Sequence, residues 1–238
     1  MTEERKPDWL RIRPSHDVDF SEIKTILRSK KLVTVCEEAN CPNMAECWHD
    51  AGTATFMVLG DTCTRGCRFC AVNTAKEGQK VDKEEPRKIA EAVKEMGLDY
   101  VVLTSVDRDD LEDQGAGHFA DCIRKIKEEY PEIIIEVLIP DFQGNKDLIK
   151  KIVDAKPDVI AHNIEVVERL QQKVRDRRAN YTQSLSVLKA VKDMDKKIHT
   201  KSSIMLGLGE KEDEVIKTMK DLLESGCEIF TLGQYLKP

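Results

Sequence analysis

Six times between Thr55 and Leu232 the chain sets down a short apolar, often β-branched run, and stretches of helical period separate the runs. The runs are TFMVL (55–59), YVVL (100–103), IIIEVLI (133–139), DVIAH (158–162), Ile198–Leu206 and EIFTL (228–232). Between them, 86–96, 118–130, 146–153, 183–194 and 212–225 carry apolar residues three and four apart, with Pro86 suited to a helix start and Gly97 and Gly226 to helix stops. Strands that are apolar throughout are covered on both faces, which implies parallel pairing through right-handed helical crossovers. The expectation is an α/β fold, a partial (β/α)6 barrel of the TIM type, with a doubly wound open sheet as the alternative. On the last helix, Val215, Ile216, Met219, Leu222 and Leu223 are expected to face inward.

Residues 1–50 lack this alternation. Ser21–Lys30 reads as one short amphipathic helix, so the division expected is an N-terminal extension over 1–50 and a barrel over 51–238. Six units fall short of a closed eightfold barrel, and a further C-terminal segment is expected beyond Pro238.

At 238 residues with 34% charged side chains and a net charge of −6, the chain reads as a soluble globular protein and not as a nucleic-acid binder. The basic run KVRDRR (173–178) reads as a solvated face or loop. The N-terminus has no apolar core of signal-peptide length and no stretch long enough to span a bilayer, so a cytoplasmic location is expected.

The cysteines carry the chemistry. Six of eight fall between 36 and 70, as Cys36, Cys41, Cys47 (C-x4-C-x5-C) and Cys63, Cys67, Cys70 (C-x3-C-x2-C). In a reducing compartment a disulfide framework is disfavoured. Zinc prefers four ligands in close pairs set apart by a long gap. Iron–sulfur clusters suit triplets of thiolates on tight loops, and three thiolates leave one iron of a 4Fe–4S cluster open to another ligand. Cys122 and Cys227 read as buried small hydrophobes.

In barrels of parallel strands, chemistry gathers in the loops that follow the strands. Those loops hold the second triplet, Thr104–Asp110, Pro140-Asp141, His162–Glu165, Gly207–Glu210 and Gln234.

CTRGCRFC (63–70) is similar to the C-x3-C-x-aromatic-C signature of radical S-adenosylmethionine enzymes. Its pairing with CEEANCPNMAEC (36–47) resembles the lipoyl synthase family in particular, and the flanks KPDWL (6–10), TSVDRDDL (104–111), HNIE (162–165), MLGLGE (205–210) and GQYL (233–236) agree. The resemblance implies two 4Fe–4S clusters. One, on Cys63, Cys67 and Cys70, chelates S-adenosylmethionine and generates a 5′-deoxyadenosyl radical. The other, on Cys36, Cys41 and Cys47, is consumed as the sulfur source. Two sulfur atoms would enter at C6 and C8 of an octanoyl group on a lysine of a lipoyl carrier protein, a lipoyl domain or a glycine-cleavage H protein. A ferredoxin or flavodoxin would serve as reductant and an iron–sulfur assembly carrier as a further partner. Other readings of the same cysteines are a non-catalytic iron–sulfur carrier and a methylthiotransferase-like radical enzyme.

The resemblance also implies cofactor contacts at Phe69, Ser105, Asp107, Asn163, Glu165, Ser203 and Glu210. The last two come from a partial match of 203–210 to G-x-I-x-G-x-x-E. The family's Arg-Ser-Ser-Tyr motif, whose serine is the fourth ligand of the sulfur-donating cluster, does not occur in this sequence. Both triplets are expected at the mouth of the sheet, facing each other.

Overall fold

The structure is a computed structural model that describes residues 20–38, 41, 43, 44 and 46–237. The KPDWL flank therefore lies outside the described residues. Helix α1 (Phe20–Lys30) buries Leu27 completely, and Lys30 ties it to the barrel through Glu91 and Glu95. Strand β1 (Val33–Thr34) runs antiparallel to β2 (Thr53–Val58), with Val33 opposite Met57 and Thr34 opposite Phe56. Helix α2 (Val35–Glu38) follows, and a five-residue π-turn (Glu46–Asp50) leads into β2. The segment ahead of the barrel is thus joined to it by a strand pair and by core packing.

After β2 come a two-strand parallel pair, β3 (Thr62–Cys63) and β4 (Asn73–Thr74), and then the repeating units. These are α3 (Glu85–Glu95), β5 (Tyr100–Ser105), α4 (Ala116–Glu129), β6 (Ile134–Leu138), α5 (Lys146–Asp154) and β7 (Val159–Ala161). The chain closes with α6 (Gln171–Val174), α7 (Tyr181–Met194), β8 (His199–Leu206), α8 (Glu212–Glu224) and β9 (Ile229–Gln234). Strand order in the main sheet is β1-β2-β5-β6-β7-β8-β9, and every pair after the first is parallel. Six parallel strands in chain order with helices between them are the partial barrel expected.

Local chemistry sets the boundaries. Pro86 opens α3, and Gly97, at φ 61°, follows its end. Asn145 accepts from the amides of Asp147 and Leu148 at the start of α5, and Asn180 accepts from Gln183 at the start of α7. The outward faces of the strands (Val101, Leu103, Ile135, Val137) meet Ile89, Val93, Phe119, Ile123, Ile149 and Ile152 of the helices in one core. On the inner face Glu136 is buried and paired, Nζ of Lys201 lying 2.7 Å away and Tyr100 donating its hydroxyl at 2.6 Å.

The last unit departs from expectation. On α8, Leu222 is buried, but Ile216, Met219 and Leu223 are exposed, Leu223 by 73%. The apolar stripe of α8 is wider than the surface offered by β8 and β9, so only the Thr218–Leu222 side is covered. Among the described residues β9 has a single neighbour, β8.

Candidate functional site

A turn ends β2 and aims the second cysteine triplet. Leu59 and Gly60 both have positive φ, 69° and 88°. That geometry is free for glycine and strained for leucine, and the surroundings hold it. The Leu59 amide donates to Glu85 Oε2 at 3.0 Å, and Arg108 donates to its carbonyl at 3.1 Å. The same Glu85 oxygen lies 2.6 Å from His118 Nε2. Glu85, His118 and Cys122 place three donor atoms within 4.8 Å of one another; Glu85, held by His118, braces the turn. Cys122 and Cys227 are both buried.

Beyond the turn, the loop Cys63–Cys70 is held from beneath by Arg65. This guanidinium, 3% exposed, donates to both oxygens of Asp109 and both of Asp141, each at 2.8 Å, and lies 3.4 Å from Asp107. Burial opposes its charge, but the three carboxylates outweigh that and keep it protonated. Burial likewise pushes Asp109 up, and its bonds to Arg65 reverse this to about 2. Thr64 completes the anchorage, its amide and hydroxyl both donating to the Asp107 carbonyl at 2.9 Å. The acids arrive from loops after β5 and β6. The loop is therefore fixed from beneath by Arg65 and its three carboxylates.

Beside the loop lies a cavity of about 130 Å³ lined by Cys67, Phe69, Ser105, Asp107, Asn163, Glu165 and, across it, Arg175. Sites for whole small molecules run to roughly 300–1,000 Å³, so this one has room for only part of such a molecule. Two buried polar atoms in it find no partner: Ser105 Oγ and Arg175 Nε. Burial raises the carboxyls of Asp107 and Glu165 to about 6 each, against the pull of Arg65 on the first and Arg175 on the second. Glu165 sits at φ 66°, a strained position for a side-chain-bearing residue. Burial, aided by Arg175, lowers His162 to about 4; its ring bonds to the Ile139 carbonyl and Ser184 hydroxyl, both at 2.9 Å. A neutral polar prop is what that environment makes of it.

The remaining expected contacts lie apart. Ser203 lies in β8, where its carbonyl accepts from the Glu165 amide. Glu210 folds back on its own glycine turn, accepting from the amides of Gly207 at 2.6 Å and Leu208 at 3.0 Å. Neither lines the cavity. The run 173–178 is a loop from Arg175 onward, as expected, with Lys173 and Arg177 exposed, but it is not solvated throughout: Val174 is buried, Arg175 lines the cavity, and Arg178 reaches the cysteine loop. Arg65, Asp109, Asp141 and Arg175 are the residues that reading the sequence left without a role. Their only signal was position: acids in post-strand loops and one arginine between two cysteines.

The first triplet occupies another station. The antiparallel register runs the chain from Met57 back past Phe56, so Cys36 follows beside the first half of β2, and the turn carrying Cys47 leads straight into Thr53. Burial raises the Cys47 thiol, as do the charges of Cys41 and Cys36, so these three are neighbours. Burial raises Cys63 to about 11, as do Asp107 and, more weakly, Cys67. In the chain the two triplets lie on either side of β2, the first between β1 and β2 and the second beyond the end of β2.

Chemically, the three thiols of 63–70 are a donor set for an iron–sulfur cluster with one iron unthiolated. The adjoining cavity offers a cationic N–H, a free hydroxyl and two carboxyls, which suits the ammonium and carboxylate of an amino acid. A family profile described as the radical SAM superfamily matches residues 57–222. The chain is 60% identical over 241 residues to a protein of Halobacterium salinarum named lipoyl synthase, covering 100% of this chain and 77% of that one. It is 53% identical to the lipoyl synthase of Methanocella arvoryzae, covering 98% and 78%. Among solved structures, the hydrogenase maturase HydG of Carboxydothermus hydrogenoformans superposes with a TM-score of 0.63 at 15% identity, covering 90% of this chain and 57% of that one. A methylornithine synthase superposes at 0.61 and 13%, covering 93% and 66%. These two likenesses concern the fold.

Proposed function

This chain belongs to the lipoyl synthase family of the radical SAM superfamily, and on that premise we propose how its residues divide the work. The reaction inserts two sulfur atoms, at C6 and C8 of an octanoyl group carried on a lysine of a lipoyl carrier protein. The family implies a 4Fe–4S cluster and S-adenosylmethionine, and the residues present fit both. A cluster with S-adenosylmethionine, once reduced, supplies a radical able to take hydrogen from an unactivated carbon.

Cys63, Cys67 and Cys70 hold that cluster. Arg65 would keep the loop in shape when iron binds; burial raises the Cys63 and Cys67 thiols, and they would bind as thiolates with release of their protons. Arg175 and Ser105, each with a donor that has no partner in the protein, would hold the carboxylate of the methionyl group. Asp107 and Glu165 would hold its ammonium, whose positive charge favours their ionised form. Phe69 and Asn163 close the wall toward the rest of the cofactor. Cys36, Cys41 and Cys47 hold an auxiliary 4Fe–4S cluster that donates sulfur. The partners proposed are an octanoylated lipoyl domain or H protein and a ferredoxin or flavodoxin as reductant. No helix among the described residues is long and apolar enough to cross a membrane.

One observation carries the reading: the two unpartnered buried polar atoms of the described residues 63–175, Ser105 Oγ and Arg175 Nε, both belong to residues that line the cavity beside the C-x3-C-x2-C loop. Reconstituted anaerobically, reduced and given S-adenosylmethionine with an octanoyl-lysine peptide, the protein is expected to release 5′-deoxyadenosine and to form thiolated peptide. No 5′-deoxyadenosine from cluster-loaded protein would falsify the assignment of the loop.

A further inference from the structure

The cluster loop is fastened on its outer side as well, by residues about 110 positions away in sequence. The Asp176 amide donates to Cys67 Sγ at 3.3 Å. The Gly66 amide donates to Asp176 Oδ2 at 3.0 Å, and the Arg68 amide to the Val174 carbonyl at 2.8 Å. Arg178 donates to the Thr64 carbonyl at 2.6 Å, pairs with Asp176 through Nε at 2.8 Å and lies 3.2 Å from Asp109. Phe69 packs into the apolar cluster of Val166, Val167, Leu170 and Val174. Each backbone step from Thr64 to Phe69, Arg65 excepted, thus meets this segment through an amide, a carbonyl, a sulfur or a ring.

The three sulfurs are treated unequally. Cys63 Sγ accepts from the Arg65 amide within its own loop at 3.4 Å. Cys67 Sγ takes its amide from the far segment instead. Hydrogen bonds to ligand sulfur withdraw electron density from a cluster and ease its reduction.

The geometry points to Val174–Arg178 as a latch: Asp176 and Arg178 are positioning residues that hold the cluster loop shut and, through the Asp176 amide on Cys67, set the reduction potential of the cluster. This inference rests on the reading of Cys63, Cys67 and Cys70 as cluster ligands. It also gives the cofactor side a reason to sense the cluster side, because Arg175 in the cavity wall is the residue before Asp176.

The test is a redox titration of the full-length, cluster-loaded protein, followed through the electron paramagnetic resonance signal that changes when S-adenosylmethionine is added. That change reports the open-iron cluster alone. Asp176→Ala removes a negative charge and Arg178→Gln a positive one, so a through-space charge effect moves the two potentials in opposite directions. A latch moves both the same way, to more negative values, because both variants loosen the amide from Cys67. Both are also expected to lose iron to a chelator several-fold faster than wild type, whereas Asp176→Asn, which keeps an oxygen for Gly66 and Arg178, retains iron as wild type does. Opposite shifts, or potentials and iron-release rates equal to wild type, overturn the latch. If Asp176→Ala fails to fold, iron release decides, because the lost charge of Arg178→Gln lowers the potential with or without a latch: iron lost several-fold faster than wild type from Arg178→Gln supports the latch, and the wild-type rate overturns it. Wild type that holds iron but gives no signal responsive to S-adenosylmethionine sinks the cluster assignment, and the latch with it.

Discussion

Arg65 has the environment of a core residue and the chemistry of a surface one. Its two hydrogen bonds to Asp141 are buried and its two to Asp109 partly so, and a buried cation or anion that loses its partner costs several kcal/mol. Arg65→Ala is therefore expected to destabilise the protein by about 3–5 kcal/mol in denaturant unfolding; a loss under about 1 kcal/mol would show that water solvates the acids and that the network does not set the loop. His162 makes a prediction in pH. Its folded value of about 4 lies below the ordinary 6.5, so the folded state binds fewer protons than the unfolded one between those values. Stability from this group is present above pH 6.5 and is lost as the pH falls toward 4, by about 3 kcal/mol in full. His162→Gln is expected to flatten that part of the acid-unfolding curve, and an unchanged slope would contradict the burial argument. The cysteines could be read from sequence because a triplet on a tight loop is a local pattern. Arg65 could not: its partners lie 44 and 76 residues away, and no local pattern reports a pairing made by folding.

Among the elements, the six parallel strands β2 and β5–β9 and the helices α1, α3, α4, α5, α7 and α8 were legible because each carries its own period. Strands β1, β3 and β4 and the one-turn α6 were not, since two to four residues have none. Nor was the burial of α8, because an apolar stripe records what a helix is able to bury and the neighbours decide what it does bury. Leu222 and Leu223 separate the two. Leu222→Ala is expected to cost about 2–5 kcal/mol as a core truncation, and Leu223→Ala under about 0.5 kcal/mol as a surface change, both read from chemical melts. Similar losses at the two positions would mean that the outer stripe of α8 is covered in solution.

In the whole molecule, β2 lies between the two cysteine triplets along the chain. Strand β2 has one cysteine triplet beside its start and the other past its end, and the second triplet is locked between acids from two barrel loops on one side and the 174–178 segment on the other. Two stations of like chemistry suggest two tasks. The family relationship names them, but no single loop in the sequence says that they are separate. The direct measurement is a pair of variants under single conditions: Cys36→Ser/Cys41→Ser/Cys47→Ser and Cys63→Ser/Cys67→Ser/Cys70→Ser, each reduced with S-adenosylmethionine and octanoyl-lysine peptide, with 5′-deoxyadenosine and thiolated peptide both quantified. The first set is expected to keep 5′-deoxyadenosine formation and lose thiolation, and the second to lose both; loss of 5′-deoxyadenosine to the same degree in both sets would contradict the division of labour.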